Sequence, residues 1–216
     1  MIDAKKITNF KATDHELEEL ILFWILAAGK NGVTSAKCLD NFLTSWQTAF
    51  GEMRLSPFEI IEKVDKKQIL PHELKRFGIG CFNRKAQYFR NIIYANLNLR
   101  TCTVEELENI NGIGAKTARC FLIHSRKNQR FAALDTHVLK FLKDKGHEVP
   151  KSTPAKRSKK YYELEKIFLN YVKESGKTVA EFDLNLWNYY REKRSNYRMI
   201  PVASWIVFVI WVFFAQ

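Results

Sequence analysis

Apolar positions recur at helical spacing along most of this chain. From Asp14 to Ala28, Leu17, Leu20, Ile21, Trp24, Ile25 and Leu26 fall on one broad stripe, and Gly29-Lys30-Asn31-Gly32 ends it. The pattern predicts a second helix from Thr34 to about Ala49. A third starts behind Ser56-Pro57, with Ser56 as cap and proline at the first helical position, where its missing N–H costs nothing. Pro71 opens a short fourth helix through Phe77, and Asn83 to Leu97 is amphipathic again. Later, Tyr161 to Glu174 places Leu164, Ile167, Phe168 and Tyr171 on one face, and Thr178 caps a helix running through Tyr190. Alternating runs and Asn-Gly hairpins between β-rich flanks are nearly absent, so the expected class is all-α.

The middle of the chain, Thr103 to Phe141, carries the chemistry. Thr103 and Glu106 form a capping box, and the helix they start stops at Asn109-Ile110-Asn111. Gly112-Ile113-Gly114 then turns into a second helix bearing Lys116, Ala118, Leu122 and Ile123. Two glycines around one apolar residue allow a sharp turn and a close approach of backbone N–H groups to a ligand. At a helix N-terminus such groups favour a phosphate. Lys116 stands two residues past Gly114, and Asp135 stands nineteen past Lys116. Each has an ordinary reading as well: a solvated or phosphate-contacting helix lysine, and an N-cap for the helix starting at Thr136. An earlier Gly78-Ile79-Gly80 echoes the turn, and behind it Arg84, Lys85 and Arg90 interleave with Phe82, Tyr88 and Phe89. That mixture suits a surface that touches phosphates and packs on bases, or else a core stripe of Phe82, Phe89 and Ile92 beneath a solvated basic face.

Charge adds to this picture. A net charge of +12 and a pI near 9.5 over 216 residues point to a polyanionic partner, nucleic acid ahead of anionic membrane. The length suits one domain or two small lobes. Cys38, Cys81, Cys102 and Cys120 are too scattered to form a metal-binding pair. With no signal peptide apparent, they suggest a reducing, intracellular setting, cytoplasm or nucleoid.

The run Ile110-Asn-Gly-Ile-Gly-Ala-Lys-Thr-Ala118, followed by Ala133-Leu-Asp-Thr-His-Val138, resembles the helix-hairpin-helix DNA glycosylases, the superfamily of endonuclease III and the 8-oxoguanine glycosylases. The resemblance implies Lys116 as nucleophile and Asp135 as its assistant. It also puts Gly112 and Gly114 on the DNA backbone, with basic residues such as Arg84 and Lys85 on the flanks. Some members hold an iron–sulfur cluster on four cysteines near the C-terminus; no cysteine follows Cys120, so neither cluster, metal nor other cofactor is expected. The late helix with Ala180-Glu181, Asp183-Leu184 and Trp187 resembles the archaeal-type 8-oxoguanine branch. There the tryptophan stacks on the extruded base and the aspartate lies in the base pocket, which implies those roles for Trp187 and Asp183. Cys120 matches a cysteine that packs on the base in another branch. The ordinary readings are core packing for Trp187 and Cys120, and a first-turn carboxylate favoured by the helix dipole for Asp183.

The resemblance further implies two helical lobes with a DNA cleft between them. Residues 1–30 and 146–216 would form one lobe, and 31–145, with the hairpin at about 103–126, the other. The activity implied is that of a base-excision-repair glycosylase and AP lyase, removing 8-oxoguanine from double-stranded DNA as a monomer through a lysine Schiff base. Lys116 must be neutral to attack, and partial burial with nearby positive charge is expected to lower its pKa. The alternatives are a glycosylase of the same fold for another damaged or modified base, a non-catalytic hairpin module that binds DNA, and a membrane-associated protein with a basic face.

Two stretches depart from the pattern or leave it open. Archaeal-type members end soon after the tryptophan helix with a lysine that helps fix the base. This chain instead continues through a basic segment to residues 199–216, which hold no charged side chain. That tail, just short of a usual membrane span, reads as a buried final helix or strand, a tail anchor or an unnatural read-through end. The connector Lys151 to Lys160 is basic and poor in apolar residues, suiting either a loop on the DNA backbone or a solubilising linker.

Overall fold

The computed structural model describes residues 2–51 and 54–198, with side chains through Glu192. Among these residues the chain forms helices and no strand: α1 (Asp14–Ala27), α2 (Gly32–Ala49), α3 (Pro57–Lys66), α4 (Leu70–Arg76), α5 (Phe82–Tyr94), α6 (Val104–Asn109), α7 (Ala115–Ser125), α8 (Thr136–Asp144), α9 (Lys159–Glu174) and α10 (Val179–Arg198). The all-α expectation holds. Four starts use the same device, a Ser or Thr whose hydroxyl accepts from an N–H three residues on while a glutamate there reaches back: Thr13–Glu16, Ser56–Glu59, Thr103–Glu106 and Thr178–Glu181. The boundaries shift where the pattern is blind to backbone turns. Helix α2 begins at Gly32 because Asn31 caps it, and α5 ends at Tyr94 because Asn96 takes a left-handed conformation with φ 46°.

Two clusters of buried apolar side chains divide the molecule. One joins the N-terminal segment, α1 to α6 and part of α7, with Ile21, Leu22, Ile25, Phe42, Phe89 and Phe121 fully buried. The other joins the rest of α7, residues 132–134, α8, α9 and the start of α10, around Leu142, Tyr161 and Phe168. Helix α1 packs with the middle of the chain, and residues 132–145 pack with the C-terminal helices. Helix α7 is the shared wall, and it is buried on nearly every side. Trp24 and Phe131 touch both clusters.

The basic connector is folded back onto the hairpin. Arg119 on α7 is buried between Glu108 of α6 and Glu165 of α9. Arg157 binds the other oxygen of Glu108 at 3.0 Å and reaches the Glu105 carbonyl and the Asn109 side chain. Lys156 donates to the Glu108 carbonyl at 2.6 Å, and the Thr153 hydroxyl to the Leu134 carbonyl at 2.7 Å. Neither loose linker nor free DNA loop describes this stretch. Removing one partner from such a buried ion cluster strands the others, at a cost of roughly 3–5 kcal/mol. The apolar tail 199–216 lies outside the described residues, and no helix among those described is long and apolar enough to cross a membrane.

Candidate active site

The hairpin is α6, the turn Asn111–Gly114 and α7. Gly112 has φ 105°, and a Cβ there would overlap the Tyr88 ring, so both the backbone and its neighbour require glycine. Asn91 of α5 holds the turn by donating to the Asn111 carbonyl at 2.8 Å, and Ile113 is buried beneath it. Gly114 differs. It caps α7 in extended conformation without a side chain, and a Cβ there would meet nothing within 4 Å. Packing does not demand this second glycine. A glycine here puts no side chain over the start of α7, and a helix N-terminus so arranged fits a phosphate.

Lys116 lies in the first turn of α7, with Nζ 5.1 Å from the centre of the Trp24 ring. Burial opposes its charge, but Cys120, Asp135 and Asp183 outweigh burial and hold the ammonium above the usual lysine range. Burial also pushes the Cys120 thiol up, so near neutral pH it carries no charge and the two carboxylates supply the field. The expected lowering of the Lys116 pKa is thus corrected: its close partners are acidic rather than basic. Asp135 is both cap and neighbour. Its Oδ1 accepts from the backbone N–H groups of His137 (2.8 Å) and Val138 (2.9 Å), as the ordinary reading expected. Burial first, and then Asp183, push its carboxyl above the usual range, against the pull of Lys116.

Asp183 comes to this group from the far end of the chain. It accepts from His124 Nε2 at 3.3 Å, while His124 Nδ1 bonds the Thr8 hydroxyl at 2.8 Å. The His124 ring also stacks on Trp24, with centres 5.5 Å apart and planes 18° from parallel. Trp187, one turn after Asp183 on α10, is half-buried against Gly32 at the start of α2 and lies beneath the Arg191 guanidinium. Cys120 is buried in the second core cluster. The fold therefore brings Lys116, Asp135, Asp183 and Cys120 into one electrostatic neighbourhood. Arg84 is exposed. Lys85 is not, and this corrects its expected place on the DNA backbone. Its side chain is 6% exposed, and its ammonium donates to the Ile25 carbonyl at the end of α1.

Three participants were not visible in the sequence pattern: Thr8, Trp24 and His124. Trp24 sits within a core stripe and His124 within a helix buried all round, so each reads as packing. The Trp24 indole N–H is buried with no hydrogen-bond partner among the described residues, unusual for a buried donor.

The family model described as Ogg-HhH, 8-oxoguanine DNA glycosylase, matches residues 6–177. The chain belongs to the 8-oxoguanine DNA glycosylase family. The fold is that of solved relatives. The 8-oxoguanine DNA glycosylase of Thermotoga maritima is 22% identical, with 85% of each chain covered and a TM-score of 0.60. The 8-oxoguanine glycosylase/lyase of Methanocaldococcus jannaschii, solved in complex with a 15mer DNA containing 8-oxoguanine, is 23% identical, with 88% of this chain and 87% of that chain covered and a TM-score of 0.62. The matched region spans every residue of the Lys116 and Asp135 pair and ends just before α10.

Proposed function

We propose that this family member excises 8-oxoguanine from double-stranded DNA and then cuts the strand through a Schiff base on Lys116. The observation that carries the proposal is Lys116 in the first turn of the hairpin helix, its Nζ 5.1 Å from the Trp24 ring and within the field of Asp135 and Asp183. The glycosylase/lyase activity named for the Methanocaldococcus jannaschii relative supports the same reading. A base inside a duplex is out of reach, so the nucleotide must be extruded at a cost of a few kcal/mol, least for a damaged base. Gly114 and the first turn of α7 would hold the phosphate beside it, with Trp187 and Asp183 lining the base pocket.

A protonated lysine is no nucleophile, so Lys116 must first lose a proton. Asp135, whose carboxyl is pushed up, is the natural acceptor of the Lys116 proton. Entry of the sugar and exclusion of water raise the cost of the separated charges and favour the transfer. The neutral Nζ then attacks C1′: the N–C1′ bond forms, the bond from C1′ to the base breaks, and the base leaves with that electron pair. Asp135 returns its proton to the departing base. Loss of a proton from nitrogen and opening of the sugar ring, with O4′ protonated, give the Schiff base. Removal of a C2′ proton then expels the 3′ phosphate.

Borohydride trapping on a duplex carrying 8-oxoguanine tests this directly. The parent protein is expected to form a covalent complex, and the Lys116→Ala variant none. Trapping on an abasic duplex but not on 8-oxoguanine would redirect the reading to another damaged base. Tight binding without trapping on either duplex would sink the lyase step.

A further inference from the structure

Among the described residues, His124 touches several separate parts of the chain at once. It is 1% exposed, and both its ring nitrogens are occupied. Nδ1 meets the Thr8 hydroxyl at 2.8 Å, and Nε2 meets Asp183 Oδ2 at 3.3 Å. Its ring lies against Trp24, which also underlies the Lys116 ammonium. Its own carbonyl accepts from the Asn9 N–H at 2.9 Å, so Thr8 is held by main chain as well as by side chain. One imidazole therefore links the N-terminal segment, α1, α7 and α10.

The chemistry of these partners fixes the ring's proton. A carboxylate oxygen can only accept, so Nε2 must carry the hydrogen toward Asp183. In the neutral ring Nδ1 then bears the lone pair, and Thr8 donates its hydroxyl proton to it. This tautomer satisfies every polar atom of a ring that water cannot reach. The bond also commits Oδ2 of Asp183 and leaves Oδ1 as the oxygen available to a ligand. A carboxylate on the fifth helical residue after Thr178, reached across from α7, would otherwise be free to choose among rotamers.

We propose that His124 is a positioning residue, which holds Asp183 in the orientation that the base pocket requires and receives its own orientation from Thr8. The inference rests on the reading above that Asp183 faces the extruded base. Base removal must then depend on His124 far more than cleavage of a site that has already lost its base. A residue that merely stabilises the core would weaken both steps together.

Two substitutions separate these cases. The amide nitrogen of His124→Gln falls near the position of Nε2 and keeps a donor for Asp183. That of His124→Asn falls near Nδ1, keeps a partner for Thr8 and loses the bond to Asp183. Both lose the stack on Trp24. Single-turnover release of 8-oxoguanine is expected to fall roughly ten- to a hundredfold in His124→Asn, the scale of a displaced pocket group. Cleavage of an abasic duplex is expected to change less than about threefold in the same variant, and His124→Gln should recover most of the excision rate. Equal losses in both variants, or equal losses on both substrates, would overturn the assignment. If either variant fails to fold, long-range proton–nitrogen NMR of the parent protein decides: a proton on Nε2 supports the proposal, and one on Nδ1 with a bare Nε2 overturns it. A parent protein that releases no 8-oxoguanine would instead defeat the activity reading, while the NMR measurement would still show whether His124 donates to Asp183.

Discussion

Gly78-Ile79-Gly80 and Gly112-Ile113-Gly114 share three residues, both lead into a helix, and both helices send a lysine to α1. In each turn the first glycine is left-handed, with φ 78° and 105°, and the isoleucine is buried. The differences begin at the second glycine. A Cβ on Gly80 would meet the Lys30 side chain at 3.4 Å, and Cys81, itself left-handed, intervenes before α5 without a side-chain cap. Gly114 caps α7 directly and faces open space. Lys85 then follows five residues after its turn, where it reaches the Ile25 carbonyl, and Lys116 follows two residues after, where it reaches the Trp24 ring. Burial lowers the Lys85 pKa; Cys81 opposes this, and Lys30, Lys116 and Arg84 add to it. Lys116 lies in the field of Asp135 and Asp183, and its pKa is raised. The surroundings that the sequence suggested for the nucleophile are those of its structural counterpart. One turn sets its second glycine against a lysine side chain, and the other leaves it facing open space two residues before Lys116.

The largest way to break this comparison is at the glycines themselves. Gly112→Ala places a methyl group in the Tyr88 ring on a left-handed backbone, and is expected to lose at least roughly 1–3 kcal/mol in a urea melt from overpacking alone. Gly114→Ala is expected to cost under about 1 kcal/mol, the range of an altered N-cap, yet to weaken duplex binding measured by anisotropy. Similar melts for the two variants would show that the open face of Gly114 has no special standing.

A smaller effect is expected at the lysines. Lys85→Met leaves the Ile25 carbonyl without its donor and should lower stability by about 1 kcal/mol, with borohydride trapping intact. Its affinity for DNA should keep the parent's salt dependence, because a buried ammonium neutralises no phosphate. Loss of trapping in this variant would mean that Lys85 belongs to the chemistry.

The finest test concerns pH. Asp135 must be ionised to accept the lysine proton, so cleavage should fall as pH drops through its raised pKa. Asp183 is one cause of that rise. Asp183→Asn removes the like charge, Asp135 then titrates lower, and the acid limb of abasic-site cleavage should move to lower pH. An unmoved limb would show that Asp135 is not the acceptor.

Much of this was legible in the sequence, for physical reasons. Capping boxes such as Ser56 with Glu59 are local, so they survive without tertiary knowledge. The hairpin and the Lys116 and Asp135 spacing are likewise read along one stretch of chain. Lys85 was misread because its charge outweighed its position: Phe82, Lys85, Phe89 and Ile92 lie on one helical face, and that periodicity places the lysine toward the core. Thr8, Trp24 and His124 offered no comparable signal, since their bonds span up to 116 residues and exist only once the fold has formed. The Arg157 and Glu108 pair, 49 residues apart, escaped for the same reason.

That pair bears on how the hairpin is held together. Helix α6 is six residues long, far too short to persist alone in water. Its C-terminal end is held by Lys156 and Arg157, and its Glu108 by Arg119, itself anchored on Glu165. The hairpin therefore draws part of its hold from residues 156–165, which follow it in the chain. During synthesis it would gain those contacts only after that segment leaves the ribosome.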